Sequence, residues 1–181
     1  MASCFVIFTD LDGTLLDAET YSYEAARPAL EMLKKRKIPV VLCTSKTRAE
    51  TEAIARRLGL KHPFIVENGG AIFIPRGYFS AEQLKVAGIK PKRKGNYLVI
   101  ELGLPYQQLR QFLISFRDKY KVKIKGFGDC RPEEIARITG LSLREARLAG
   151  RREYDEPCWL EGPAGVGLFR QKAREAGLKV V

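Results

Sequence analysis

Cys4-Phe5-Val6-Ile7-Phe8-Thr9-Asp10-Leu11-Asp12-Gly13-Thr14 is the stretch that decides the fold. The apolar run from Cys4 to Thr9 predicts a strand of a parallel sheet, buried on both faces. Two carboxylates spaced i, i+2 follow it at once. Side by side they repel, and a divalent cation resolves the repulsion, since Mg²⁺ favours oxygen ligands in an octahedral shell. With a metal present, Asp10 can attack phosphorus and carry the phosphoryl group as an aspartyl ester. Asp12 can protonate the departing oxygen and then activate water. Gly13 permits the turn, and Thr14 can hold it by hydrogen bonding. The plain alternative is a loop start in which both acids cap a turn.

Working outward, strand and helix patterns alternate. Ala25, Ala29, Leu30 and Leu33 recur at helical spacing, with Pro28 tolerated only in the first turn. Residues Ile38–Cys43 form a second buried-strand candidate. Thr47 and Glu50 make a capping-box pair ahead of the apolar face Ala49, Ala53, Ile54 and Leu58, and Gly59 closes that helix. Residues Phe64–Val66 predict a third strand, and Asn68-Gly69-Gly70 a tight turn into Ala71–Ile74. This β-α-β-α-β order implies an α/β fold with a parallel sheet, whose ligands bind beyond the carboxyl ends of the strands. Asp10, Thr44 and Asn68 each follow a candidate strand and can converge there. Thr44, Ser45 and Lys46 suit a phosphate at a helix N-terminus, although Ser45 or Thr47 could equally be ordinary caps. Asn68-Gly69-Gly70 also reads as a plain hairpin turn.

Residues 80–95 are less regular and rich in Lys, Pro and Gly, which places a domain boundary there, with residues 1–84 on one side and 85–181 on the other. Beyond it come a strand at 97–102, a helix through Leu109, Phe112, Leu113 and Phe116, and a strand near 122–127. A short helix between Pro132 and Gly140 is followed by a helix capped by Ser142 and Glu145. A strand at 156–160, a helix over 166–176 stopped by Gly177, and the start of a strand at 178–181 complete the reading. The run from Arg151 to Pro157 reads as a solvated loop on charge alone. The Gly162–Gly167 stretch lacks the ending of a phosphate loop and reads as a turn.

No apolar run approaches the ~20 residues of a membrane span, and no signal peptide is evident, so a cytoplasmic location is expected. The four cysteines are scattered, Cys4 and Cys43 within apolar runs, and His62 is the only histidine, which argues against a zinc site. The net charge of +11 is uneven: up to Glu31 there are six acids and one base, while Lys90, Lys92, Arg93, Lys94, Arg151 and Arg152 cluster later. Without aromatic interleaving, these clusters favour solvated surface and a small anionic partner over nucleic acid. The oligomeric state is not legible.

The Asp10–Asp17 stretch resembles the first motif of the haloacid dehalogenase-like phosphatases, and Thr44 matches their second. The stretches Cys43–Glu50, Glu67–Gly70 and Arg152–Pro157 narrow the resemblance to the mannosyl-3-phosphoglycerate phosphatase branch, along essentially the whole chain. The resemblance implies a Rossmann-like core with an inserted α/β cap, and magnesium-dependent hydrolysis of 2-O-mannosyl-3-phosphoglycerate to mannosylglycerate, a compatible solute. It implies that Asp10 is nucleophile and metal ligand, and that Asp12 is acid/base and a metal ligand through its carbonyl. Thr44 would hold the phosphoryl group. Asn68, Gly69 and Gly70 would border the substrate, with Arg152 and Glu153 meeting its sugar or glycerate part. The family also uses a later lysine and a further acidic metal motif. Neither is matched within residues 1–181, so the core is expected to be incomplete, and Lys172 and Lys179 qualify only by residue type. An inactive remnant of the family, or a phosphatase for another sugar phosphate, are the alternatives.

Overall fold

A computed structural model describes residues 5–162 and 165–181. Its main sheet has six strands in the order β1-β2-β3-β4-β6-β5: β1 Ile7–Thr9, β2 Val40–Cys43, β3 Phe64–Val66, β4 Ala71–Pro75, β5 Lys92–Lys94 and β6 Tyr97–Glu101. Strands β1, β2 and β3 are mutually parallel, linked by α1 (Arg27–Lys35) and α2 (Arg48–Leu58). From β3 onward the pairing is antiparallel. The α/β class holds, and the parallel part is the half that carries the acidic motif.

Local chemistry accounts for the helices. Pro28 sits in the first turn of α1, where its missing N–H costs nothing. Thr47 and Glu50 form the capping box of α2, and Gly59 closes it with a left-handed φ of 67°. A short α3 (Ala81–Val86) and β5 replace the irregular structure expected at 80–95. Strand β5 is an all-basic, exposed edge, a composition that discourages pairing with another chain.

The sheet runs across the 84/85 division, because β6 pairs with β4 over five residues. Beyond β6, a second layer holds α4 (Tyr106–Tyr120), α5 (Pro132–Thr139), α6 (Leu143–Ala149), α7 (Val166–Glu175) and a two-stranded sheet of β7 (Ile124–Gly126) and β8 (Cys158–Leu160). Leu113, Phe116, Ile124 and Phe169 form one apolar cluster there, and Phe127, Ile135, Ala146 and Ala149 another.

Three expectations are corrected. Strand β1 is not buried on both faces: it is the edge strand among the described residues, and Phe8 is 61% exposed. Residues 178–181 form no strand, having no partner there. The Arg151–Pro157 run is not a solvated loop, since Tyr154 is buried within the main core. Cys4 and part of the Gly162–Gly167 turn lie outside the described residues.

The main core gathers Leu11, Leu16, Val40, Leu42, Phe64, Val66, Phe73 and Val99, with Phe73 fully buried and stacked on Phe64 at 5.4 Å. Emptying that position removes a large apolar side chain and leaves a cavity. Phe73→Ala is expected to cost about 3–5 kcal/mol, read as a lowered urea midpoint with the slope of the transition unchanged.

Candidate active site

Parallel pairing of β1, β2 and β3 brings their carboxyl ends to one edge. Just past β1, the chain folds back on itself: the amides of Thr14 and Leu16 both donate to the Leu11 carbonyl, at 3.3 and 2.8 Å. Leu11 and Leu16 are buried as the two feet of this turn, and Gly13 takes a φ of 66° at its tip. Asp10 and Asp12, flanking Leu11, are left exposed at the edge. The Asp10 carboxylate accepts the Leu11 amide at 2.7 Å.

The segment after β2 meets this turn. Lys46 Nζ lies 2.9 Å from Asp12 Oδ1, and its ammonium sits 5.3 Å from the centre of the Tyr21 ring. Thr44 is buried; its amide donates to the Ile65 carbonyl at 3.1 Å, and its hydroxyl accepts the Lys46 amide at 3.2 Å. The Asn68 amide donates to the Thr44 carbonyl, and the Glu67 amide to the Lys46 carbonyl, both at 3.1 Å. Asp10, Asp12, Thr44, Ser45, Lys46 and Asn68 therefore come together at the carboxyl edge of the parallel strands, the candidate crevice.

The loop after α6 closes over its rim. Arg152 donates to the Ser45 carbonyl at 2.8 Å and to Asp155 at 2.9 Å, while Asn68 Nδ2 donates to Asp155 at 3.2 Å. Thr47 Oγ1 is within 3.0 Å of the Leu148 carbonyl. Gly70 and Glu153 also make close contacts within the protein. The Gly70 carbonyl accepts the amides of Leu102 and Gly103, and a Cβ at Gly70 would collide with Tyr154 Cβ. Glu153 is held between Arg48 and Lys94. Burial opposes its ionisation, but these two cations outweigh it and keep its carboxyl below the usual range. Gly69, with a φ of 90°, completes the turn.

Glu67 has no place in the residue-by-residue reading of the sequence, yet it is the most enclosed acid of the crevice, 2% exposed. Its Oε2 accepts the amides of Glu153, Tyr154 and Asp155 at 3.0, 2.7 and 2.9 Å. The local signal was its place before Asn-Gly-Gly, where the backbone needs positive φ: Glu67 and Asn68 stand at 51° and 56°. A second network lies behind the loop. Glu156 accepts Tyr106 Oη at 2.6 Å and Arg110 at 2.7 Å, and Arg110 also pairs with Asp129. The Arg110 guanidinium, with help from the Gly126 amide, lowers the Asp129 carboxyl to about 2.

Among the described residues no group of three or more His, Cys, Asp or Glu side chains could hold a metal. Asp10 and Asp12 remain as a carboxylate pair. That pair suits magnesium, which commonly takes one or two carboxylates and fills its shell with water and substrate phosphate oxygens. Lys172 pairs with Glu175 on α7, away from any contact with the acidic motif.

Residues 7–95 match the family of haloacid dehalogenase-like hydrolases. Over those residues the chain belongs to that family. It is 54% identical over 156 residues to a glucosyl-3-phosphoglycerate/mannosyl-3-phosphoglycerate phosphatase of Methanococcoides burtonii, an alignment covering 86% of this chain and 56% of the relative. A protein of the same description from Persephonella marina is 44% identical over 175 residues, covering 97% of this chain and 62% of the relative. The chain thus spans little more than half the length of these relatives. A crystal structure of a haloacid dehalogenase-like hydrolase from Bacteroides thetaiotaomicron shares the fold with a TM-score of 0.54 at 14% identity, over 97% of this chain and 65% of that one.

Burial, and the charge of Asp155 facing it, push the Glu67 carboxyl from 4.5 up to about 7, against the three amides that favour its ionised form. A carboxyl raised on folding binds protons more tightly in the native state. Its contribution is complete below pH 4.5 and is lost as pH rises through about 7. Between those values, chain stability is expected to fall with pH by up to ~1.4 kcal/mol per unit from this group. Urea unfolding at stepped pH checks it: Glu67→Gln flattens that slope.

Proposed function

We propose that the chain carries the nucleophile-bearing part of a phosphoric monoester hydrolase acting on a glycosyl-3-phosphoglycerate, with 2-O-mannosyl-3-phosphoglycerate as the first candidate. The observation that carries this is the acidic pair Asp10/Asp12 at the carboxyl edge of the parallel strands, with Lys46 on Asp12 and Thr44 at the approach to α2. Such an edge, at a helix N-terminus, is where an α/β sheet places an anionic ligand. The substrate class is that of the two relatives, phosphatases of glucosyl- and mannosyl-3-phosphoglycerate.

In this reading Asp10 is the nucleophile. Its carboxylate is held by the Leu11 amide, so the other oxygen can attack phosphorus while the ester bond breaks. Asp12 gives its proton to the leaving glycerate oxygen and later takes one from the water that cleaves the aspartyl-phosphate. The Lys46 ammonium and the Thr44 hydroxyl steady the phosphoryl oxygens. Magnesium, which the Asp10 carboxylate and the Asp12 backbone carbonyl would help to hold, would neutralise phosphate charge. We take the layer from α4 to α7 as a cap over the crevice, with Arg152 and Asn68 at the substrate's polar end. The free thiols of Cys43, Cys130 and Cys158 fit a reducing, cytoplasmic setting.

The test is release of inorganic phosphate from 2-O-mannosyl-3-phosphoglycerate and its glucosyl analogue in the presence of Mg²⁺. Asp10→Asn is expected to lower turnover by at least about a thousandfold, and Asp12→Asn by ~10²–10⁴-fold. No release from either ester by the unaltered chain would reject the reading and favour a non-catalytic member of the family.

A further inference from the structure

We propose that Glu67 is a positioning residue of this centre: its carboxylate sets where the Arg152–Asp155 loop lies against the crevice. The inference rests on the proposed phosphatase reading for its catalytic consequence, and on geometry alone for the anchoring. One carboxylate gathers the amides of three successive residues, all more than eighty positions away in sequence. Those residues follow directly on Arg152, whose guanidinium reaches the Ser45 carbonyl.

The other end of Glu67 is fixed just as firmly. Its own amide is bound to the carbonyl of Lys46, the residue whose ammonium meets Asp12. Next to it, Asn68 is bound to Thr44 through its backbone and to Asp155 through its side chain. A single residue therefore links the backbone of the phosphate-facing turn to the loop above it. Two features set this apart from routine pairing of buried amides. A buried carboxylate is a costly acceptor where a backbone carbonyl would serve. Consecutive non-glycine residues at positive φ cost roughly 1–2 kcal/mol each and persist only where the surroundings hold them. Both costs are met on the seam where the turn after β3 meets the loop after α6.

Glu67→Gln keeps the shape but replaces one of the two acceptor oxygens with an N–H₂ and removes the charge from the other, so the three amides meet a weaker acceptor. Hydrogen exchange of the purified chain, followed residue by residue, reads the anchoring directly. The expected result is exchange at least tenfold faster at residues 153–155, with the amides of α4 unchanged, and faster tryptic cleavage after Arg151 and Arg152. Unchanged exchange at 153–155, or equal acceleration throughout the chain, overturns the proposal. Should Glu67→Gln not fold, Glu67→Asp, which keeps the charge and shortens the reach by one methylene, is expected to give the same local pattern. Kinetics then test the catalytic consequence. In Glu67→Gln, KM for the glycosyl-phosphoglycerate is expected to rise about tenfold, while turnover of p-nitrophenyl phosphate stays within twofold. Equal loss on both substrates overturns the positioning role. A chain silent toward every phosphate ester, with exchange altered only at 153–155, rejects the phosphatase reading and leaves Glu67 as an anchor.

Discussion

The arrangement of the crevice depends on a buried carboxyl group accepting from three backbone N–H groups. Without an acceptor, the amides of Glu153, Tyr154 and Asp155 would be stranded in an enclosed site, a cost of about 1–3 kcal/mol for each unsatisfied group. Without those donors, the Glu67 carboxylate would have no solvation at all. Each side makes the other tolerable, and the contact lies between a turn of the parallel sheet and a loop of the second layer. The Arg48–Glu153 and Arg152–Asp155 pairs add to the same seam. Being partly exposed, they contribute less individually than the enclosed contact does.

The acidic motif gains its geometry from apolar residues rather than polar ones. Leu11 and Leu16 sink into the core on either side of the Asp12 turn. The carboxylates are thus presented on a buried apolar foundation, with Asp10 further held by the Leu11 amide and Asp12 by the Lys46 ammonium. Lys46 reaches Asp12 because the chain after β2 runs level with that turn, a direct result of parallel register between Thr9 and Leu42.

Much of this was legible in the sequence, for reasons that can be named. The capping box at Thr47 and Glu50, the stop at Gly59, and the turn at Asn68–Gly70 depend on neighbours within a few residues, and local chemistry decides them. Other features depended on partners that no local window contains. The exposure of Phe8 reflects which strands flank β1, and the pairing of β6 with β4 reflects sheet order, neither of which hydrophobic patterning encodes. Charge density made Arg151–Pro157 look solvated, because its partners Glu67, Arg48 and Ser45 lie about a hundred positions earlier. Glu67 entered only as the first residue of the Glu67–Gly70 stretch, and its anchoring role needed the opposing amides to be seen.

Gly70 carries an evolutionary corollary. Its missing side chain is the space into which the Tyr154 β-carbon fits, and its carbonyl is already committed to Leu102 and Gly103. Neither position can drift alone. Any descendant that acquires a β-carbon at the first must move the backbone at the second, and with it the arginine two residues earlier. Selection on a distant loop is thereby written into a position that bears no side chain.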